Sequence, residues 1–133
     1  MTSHGPDRVR SSPRATGGAL LTDVLTVLIF VAIGRHVHDH GVTIAGLAST
    51  SWPFLVGLAV GWLVAARRWA PTAGATGVAA WLSCVALGMA LRVVSGQGIA
   101  VAFVAVALGF LGALMLGWRA ALALARRRAG SPA

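Results

Sequence analysis

Four apolar segments, each long enough for a membrane-spanning helix, alternate with short polar connections along the chain. Crossing the hydrocarbon core of a bilayer requires about 20 mostly apolar residues in a helix. The pattern predicts spans at about residues 19–38, 51–67, 73–92 and 98–118, within a transmembrane domain at 19–122. The expected fold class is therefore an all-α integral membrane four-helix bundle.

Both ends of the chain are polar and rich in arginine. Residues 1–18 contain many Ser, Pro, Gly and Arg residues without apolar periodicity, which predicts a disordered basic tail. Residues 123–133 are expected to form a basic cytoplasmic tail. In the second apolar segment, Thr50 or Ser51 can cap a helix and Pro53 suits its first turn, so that span is expected to begin there.

The composition excludes an ordinary soluble domain. Hydrophobic residues make up 57% of the 133 residues and charged residues 11%, whereas soluble domains contain about 25% charged residues. A chain with so few charges cannot cover its surface in water, so membrane lipids are the expected surroundings. The net charge of +8 also occurs in nucleic-acid-binding proteins, but here the arginines lie between apolar segments. No nucleic-acid partner is expected.

The distribution of arginines predicts an orientation. If the N-terminus is cytoplasmic, nine of the eleven arginines lie inside and only Arg35 and Arg92 lie outside, in agreement with the positive-inside rule. Trp52 then lies at the outer interface, and Trp69 and Trp118 lie at the inner one, where tryptophan is enriched. We therefore expect a multi-pass protein of the plasma membrane with both ends inside.

Small residues at four-residue spacing are expected to hold the helices together. Lipid is as apolar as leucine, so membrane helices associate through close backbone approach and internal hydrogen bonds. The second segment carries Gly57 and Gly61, and the third carries Ala80, Cys84 and Gly88. The fourth carries an uninterrupted small-residue stripe of Ala105, Gly109, Ala113 and Gly117. The sequence leaves open whether this stripe faces the same chain or a second copy.

Asp23 is a carboxylate inside the first apolar segment, about one turn from its cytoplasmic boundary. One interpretation is a proton or cation relay with the hydroxyls of Thr22 and Thr26, because ionisable residues in membranes often serve transport. The other is a structural ion pair with Arg119 or Arg67, or a favourable interaction with the helix dipole. Both interpretations stay open at this point.

The stretch "IGRHVHDH", residues 33–40, ends the first apolar segment in a histidine cluster. His36 and His40 share a face if the helix continues, and His36 and His38 share one if the chain is extended. Either geometry can chelate zinc or a related ion. The alternatives are pH sensing or proton handling and an ordinary polar helix end.

Arg35 and Arg92 are both expected near the outer boundary, on the first and third spans. If the bundle brings them together, they form an anion-attracting pair; otherwise each extends its guanidinium to the interface. Arg35 also precedes Asp39 by four residues, a spacing that allows an ion pair on one helix.

Several stretches, among them "GRHVHDHG", "SWPFLVGLAVGW" and "GMALRVVSGQGIAVAFV", resemble a group of small prokaryotic membrane proteins known as the domain of unknown function 3054 family. The resemblance extends over about residues 19–122. It implies a four-span membrane protein and supplies no activity. It also draws attention to a polar set of candidate functional residues: Asp23, Arg35, His38, Arg92 and Gln97.

The functional hypotheses follow from this sparse polar inventory. We first expect a transporter or channel component working as an oligomer, since four helices are too few to line a wide pathway alone. Small multidrug transporters share this size and a carboxylate in the first span, although theirs lies deeper than Asp23. The alternative is a non-catalytic accessory or scaffold subunit of a larger membrane complex.

An enzyme is not expected, because no nucleophile–base pair is evident. A membrane enzyme would have to use the histidines and the arginine pair on an anion such as a lipid phosphate. No cofactor is expected. Arg126, Arg127 and Arg128 are expected to bind anionic lipid headgroups.

Overall fold

The structure, a computed structural model, describes residues 12–131, and in this part of the chain four helices follow one another without a strand. They are α1 (Pro13–Val37), α2 (Ile44–Ala65), α3 (Gly74–Val94) and α4 (Val101–Gly130). Each helix packs against its neighbours in the chain, and α1 also packs against α4, so the bundle is a closed ring. This confirms the predicted all-α four-helix bundle.

The outer surface of the bundle is apolar. All four helices are long and apolar enough to cross a membrane. Large aliphatic side chains such as Ile29, Leu63 and Val106 are exposed on it, with 48%, 69% and 57% of their surface accessible. Such a continuous apolar surface is unfavourable in water and favourable in lipid. The chain is therefore a multi-pass membrane protein.

The first helix begins earlier than the apolar pattern predicts. Its N-cap is Ser12, whose Oγ accepts a hydrogen bond from the Ala15 backbone N–H at 3.1 Å, and Pro13 occupies the first turn. Both features favour a helix start. Residues 13–18, which we expected to be part of a disordered tail, are therefore helical, while residues 1–11 of that tail lie outside the described residues.

The second helix also begins earlier than predicted, at Ile44 rather than near residue 51. Thr43 caps it, accepting a hydrogen bond from the Gly46 N–H at 3.0 Å. Pro53 therefore lies inside the helix and not in its first turn. Proline lacks an N–H, which leaves the Ser49 carbonyl without its helical partner. The Gln97 side-chain amide donates to that carbonyl at 3.2 Å.

The third helix agrees with the predicted span to within two residues, whereas the fourth extends well past residue 118. Residues 123–130 of the expected basic tail continue α4 as a helix. In this extension the Arg126 Nη1 donates to the Thr72 Oγ1 at 3.4 Å. The tail is thus a helical extension that reaches the α2–α3 loop.

Glycine residues allow α2 and α3 to pack closely against each other. A Cβ on Gly57 or Gly61 would lie within 3 Å of the α3 backbone, so only glycine allows this approach. The Ser83 hydroxyl donates to the Gly57 carbonyl at 2.8 Å, and the Cys84 thiol donates to the Phe54 carbonyl at 3.3 Å. Close packing and interhelical hydrogen bonds of this kind drive association in lipid. The small residues singled out in the second and third spans therefore meet each other.

The small-residue stripe on α4 faces away from the bundle. Its four residues are exposed, and nothing lies within 4 Å of a Cβ built on Gly109 or Gly117. The α3–α4 contact uses another glycine, Gly112, against which the Trp81 ring packs. The Trp81 Nε1 donates to the Leu108 carbonyl at 2.9 Å. The stripe is thus free to contact lipid or another protein.

Gly57→Ala is expected to destabilise the bundle. The added Cβ would lie 2.7 Å from the Ser83 carbonyl oxygen and 2.9 Å from the Cys84 Cα, both in the backbone. Overpacking of this kind costs about 1–3 kcal/mol, which thermal unfolding of the detergent-solubilised protein measures. Gly109→Ala is the matched control, because its Cβ meets nothing within 4 Å. Equal unfolding temperatures for the two variants would contradict the glycine interface.

Candidate functional site

The polar side chains of the described helices form two groups, about 18 Å apart along α1 at 1.5 Å per residue. The first, the Asp23 cluster, consists of Asp23, Trp62, Trp118 and Arg119. The second surrounds a cavity at the opposite end of α1 and is called the Arg35 cavity. Its principal polar residues are Arg35, His38, His40, Arg92 and Gln97.

Asp23 is fully buried and forms an ion pair with Arg119. The Arg119 Nη2 lies 2.7 Å from one carboxylate oxygen and its Nη1 lies 3.0 Å from the other. The indole N–H groups of Trp62 and Trp118 donate to the same two oxygens, at 2.9 and 3.0 Å. The carboxylate therefore accepts four hydrogen bonds, which use all of its lone-pair sites.

Arg119 uses four of its five N–H donors. Its Nε donates to the Pro71 carbonyl at 3.2 Å, and its Nη1 also donates to the Met115 carbonyl at 3.0 Å. Its guanidinium stacks on the Trp118 ring at 4.3 Å from the centroid, and Gly77 leaves room for its side chain. A bidentate, buried pair with this many hydrogen bonds is rigid. The geometry favours the structural interpretation of Asp23 over the relay.

Removing one partner of the ion pair is expected to cost about 3–5 kcal/mol, because the other charge stays buried without compensation. Asp23→Leu and Arg119→Met are therefore expected to unfold at clearly lower temperatures than the parent protein. The double variant is expected to be more stable than either single variant, since it removes both charges.

Thermal unfolding in detergent measures all three variants, with Thr22→Ala as the control because its hydroxyl bonds only within α1. A double variant whose loss equals the sum of the two single losses would show that the two charges are not coupled.

Arg35 ties the end of α1 to the following loop and to α2. Its Nε donates to the Gly41 carbonyl and its Nη2 to the His40 carbonyl, both at 2.9 Å. Its Nη1 donates to the Thr50 hydroxyl on α2, also at 2.9 Å. The guanidinium lies against Gly46, where a Cβ would overlap it. Arg35 therefore forms no ion pair with Asp39, which was one of the possibilities.

Arg92 links the end of α3 to the following loop and to α4. Its Nε donates to the Gly98 carbonyl at 3.2 Å and its Nη1 to the Gln97 side-chain oxygen at 3.0 Å. Its Nη2 lies 3.5 Å from the Gln97 backbone carbonyl. The guanidinium also lies over the Phe103 ring, 4.8 Å from the centroid, a cation–π contact.

The two arginines open onto one cavity of about 660 Å³. Apolar side chains form its floor, namely Phe30, Val31, Phe103 and Val106, whereas His38, His40 and Gln97 line its polar part. Each guanidinium has five N–H donors and makes three hydrogen bonds within the described residues. Two donors remain on each, and neither has a carboxylate partner within residues 12–131. The cavity is therefore positively charged above an apolar base.

The histidine cluster does not form a metal centre among the described residues. The helix ends at Val37, so His36 and His40 do not share a helical face, and Asp39 adopts a positive φ of 58°. The rings of His38 and His40 lie 6.5 Å apart. Within residues 12–131 no three His, Cys, Asp or Glu side chains converge on one point. "IGRHVHDH" is the exit of α1, and two of its histidines line the cavity.

Four of the five residues in the candidate polar set thus line one cavity, namely Arg35, His38, Arg92 and Gln97, while Asp23 belongs to the other cluster. Sequence reasoning missed the two indoles that bind Asp23, because Trp62 had no assigned role and Trp118 was assigned to the membrane interface. It also missed Thr50 as a partner of Arg35. No local signal indicates these contacts, since the partners lie 15 to 95 positions apart.

Comparison with protein families matches residues 20–122 to a family described as "Protein of unknown function (DUF3054)". Comparison with curated proteins and with solved structures found no match. The matched range includes both polar clusters and leaves out the two ends of the chain.

Proposed function

The chain belongs to the family described as Protein of unknown function (DUF3054), and we propose that it is the ligand-binding component of a transport system in the plasma membrane. Its ligand is an anion with an apolar part, which binds in the Arg35 cavity. The family description names no activity, so support for this proposal comes from the geometry of the site.

The main support for the proposal is that two arginine side chains line the same cavity, and that the base of this cavity is apolar. Arg35 and Arg92 each retain two free N–H donors and have no carboxylate partner within residues 12–131. Two like charges that line one cavity without a carboxylate favour an anion between them. At about 660 Å³, the cavity falls within the size range of small-molecule sites. An amphiphilic anion matches both the charge and the floor.

The relation between the two clusters supports a transport role over a purely structural one. At one end, α1 and α4 are held together by the Asp23–Arg119 pair. At the other end, the cavity lies between them, lined by Val31 of α1 and Phe103 and Val106 of α4. A bundle fixed at one end can widen or close the other with small helix movements. The cavity is where such a movement would capture or release a ligand.

The arginine distribution supports a cytoplasmic location for both ends, and in this orientation the Arg35 cavity lies towards the outer leaflet. Arg126, Arg127 and Arg128 are exposed on the α4 extension. In this orientation they lie at the cytoplasmic surface, where anionic lipids attract basic residues. Four helices enclose little space, so the component works as an oligomer or within a larger complex.

Proteoliposomes are expected to take up anionic amphiphiles, tested as hexyl phosphate, hexyl sulfate and hexanoate, in preference to the cation tetraethylammonium. Arg92→Gln is expected to reduce uptake about tenfold, because losing a hydrogen bond to a charged group costs about 1.5–3 kcal/mol. Arg68→Gln, exposed at the other end of the bundle, is the control and is expected to keep parental uptake. Uptake of tetraethylammonium without uptake of any of the three anions would contradict the proposal.

A second candidate function, a scaffold subunit, is favoured by the exposed small-residue stripe on α4. Its residues face outward with space above each glycine, a geometry that lets another membrane helix approach closely. A scaffold would use this face continuously and would not need the cavity.

Gly109→Leu is expected to weaken association between copies or with a partner, because the larger side chain keeps a second helix away from the stripe. Light scattering of the detergent-solubilised protein measures the oligomeric mass. Gly18→Leu is the matched control, since it also has open space around its Cβ but lies on α1. An unchanged mass for Gly109→Leu would remove the stripe from the oligomer interface.

A further inference from the structure

The helices of the two halves of the bundle begin and end at corresponding positions in the sequence. The first hairpin comprises α1 and α2, and the second comprises α3 and α4. A shift of 57 positions (92 minus 35, and equally 98 minus 41) places the last residue of α1, Val37, on the last residue of α3, Val94. The same shift places the first residue of α2, Ile44, on the first residue of α4, Val101.

The loops inside the two hairpins share their backbone conformation. Asp39 and Gly96 correspond and have φ of 58° and 77°, while Gly41 and Gly98 correspond and have φ of 70° and 71°. Three backbone hydrogen bonds also correspond. In the first hairpin they are His38 to Gly34, Asp39 to His36 and His40 to Arg35, and in the second they are Ser95 to Leu91, Gly96 to Val93 and Gln97 to Arg92.

The two arginines occupy the same position in this scheme and share two of their three hydrogen bonds, while their Nη1 atoms have different partners. In each, Nε donates to the carbonyl six residues ahead and Nη2 points to the carbonyl five residues ahead. The next contact also corresponds, since Arg35 lies against Gly46 and Arg92 lies over Phe103. Two helix ends chosen independently would not be expected to share each of these features.

One buried stripe on each helix follows the same shift. Residues 19, 23, 27 and 31 of α1 are buried, as are residues 76, 80, 84 and 88 of α3. Residues 54, 58 and 62 of α2 are buried, as are residues 111, 115 and 119 of α4. The packing of the helix backbones agrees with this symmetry, because α1 and α3 do not approach each other closely and neither do α2 and α4. Only side chains meet across the centre, as the rings of Phe54 and Phe103 do at 6.1 Å between centroids.

We infer that the chain is a tandem duplication of one helical hairpin, and that Arg35 and Arg92 are the two equivalent halves of a single site for a phosphate monoester. Parallel repeats of this kind are related by an axis along the membrane normal. A ligand bound between the repeats meets the same guanidinium from both sides. This inference rests on the proposed anion-binding function of the Arg35 cavity.

The ligand class follows from the number and arrangement of donors. Two guanidiniums supply two positive charges and four free N–H groups, which match the doubly charged, tetrahedral head of a phosphate monoester better than a planar, singly charged carboxylate. The apolar floor of Phe30, Val31, Phe103 and Val106 accommodates one hydrocarbon chain on the ester oxygen. Either a phosphomonoester lipid or a soluble alkyl phosphate has this chemistry.

Calorimetric titration of the full-length, detergent-solubilised protein with hexyl phosphate tests the inference. One ligand is expected to bind per chain, about tenfold or more tightly than hexanoate, which has a similar chain length but one charge. Arg35→Lys and Arg92→Lys keep the charge and remove the planar fork. Each is expected to weaken hexyl phosphate binding about tenfold and to a similar extent, whereas Arg68→Lys, at an exposed position beyond the end of α2, is expected to bind as the parent does.

The outcomes separate the inference from the proposed function. Equal affinity for hexyl phosphate and hexanoate, two ligands per chain, or sensitivity to only one of the two arginines would overturn the shared phosphate site and leave an anion cavity. Absence of binding by every anion tested would overturn the proposed function as well. Thermal unfolding of each lysine variant verifies that it is folded, and Arg35→Gln and Arg92→Gln provide a second pair.

The source of the ligand is distinguished in nanodiscs. If phosphatidate in the disc displaces hexyl phosphate and phosphatidylcholine does not, the site holds a lipid headgroup. If hexyl phosphate binds equally in discs with and without phosphatidate, the site takes a soluble ester. Displacement by phosphatidylcholine to the same extent as by phosphatidate would overturn the preference for a monoester.

Discussion

The ion pair between Asp23 and Arg119 closes the bundle, because it joins the first helix to the last across 96 positions of sequence. No water is available within a bilayer to solvate either charge, so each must find its partners inside the chain. The carboxylate finds them in one guanidinium and two indoles, which come from α2 and α4. Elsewhere α1 meets α4 through Phe30, whose ring packs against Phe103 and Phe110, so the polar cluster supplies the directional contacts between these two helices.

The other interfaces are held by different means. Between α2 and α3, glycines allow the backbones to approach and side-chain hydroxyl and thiol groups bond to carbonyls. Pro53 breaks the hydrogen-bond ladder of α2, and the freed Ser49 carbonyl is bound by Gln97 from the opposite hairpin. Each buried side-chain nitrogen or oxygen of the described residues thus has a hydrogen-bond partner. The arginines that line the α1–α4 cavity retain free donors, which supports that cavity as the proposed ligand site.

The number of spans could be predicted from the sequence because hydrophobicity over 20 residues is a local property. The helix ends could not be predicted in the same way, because each depends on a single capping residue such as Ser12 or Thr43. The sequence singled out the residues of the cavity one by one, yet their convergence depends on how four helices pack. The duplication leaves only a weak trace, in which Arg, Val and Gly recur with the same spacing as Arg35, Val37 and Gly41. The stronger signs of the duplication are the matching backbone φ angles of the two loops and the matching buried positions.

The inferred duplication also accounts for the position of the Arg35 cavity between α4 and α1. Equivalent hairpins would form two equivalent interfaces, α2 with α3 and α4 with α1. The shift of 57 positions pairs Asp23 with Ala80 and Trp62 with Arg119. On the α2–α3 side the small Ala80 lies against Gly61, and the helices pack tightly. On the α4–α1 side the corresponding residues are Asp23 and Trp118, and the Asp23 carboxylate binds this indole and Arg119. These contacts hold α1 and α4 together at one end, while Phe30 and Phe103 line the Arg35 cavity towards the other end. In the inferred duplication, divergence at a few positions accounts for this difference between two corresponding interfaces.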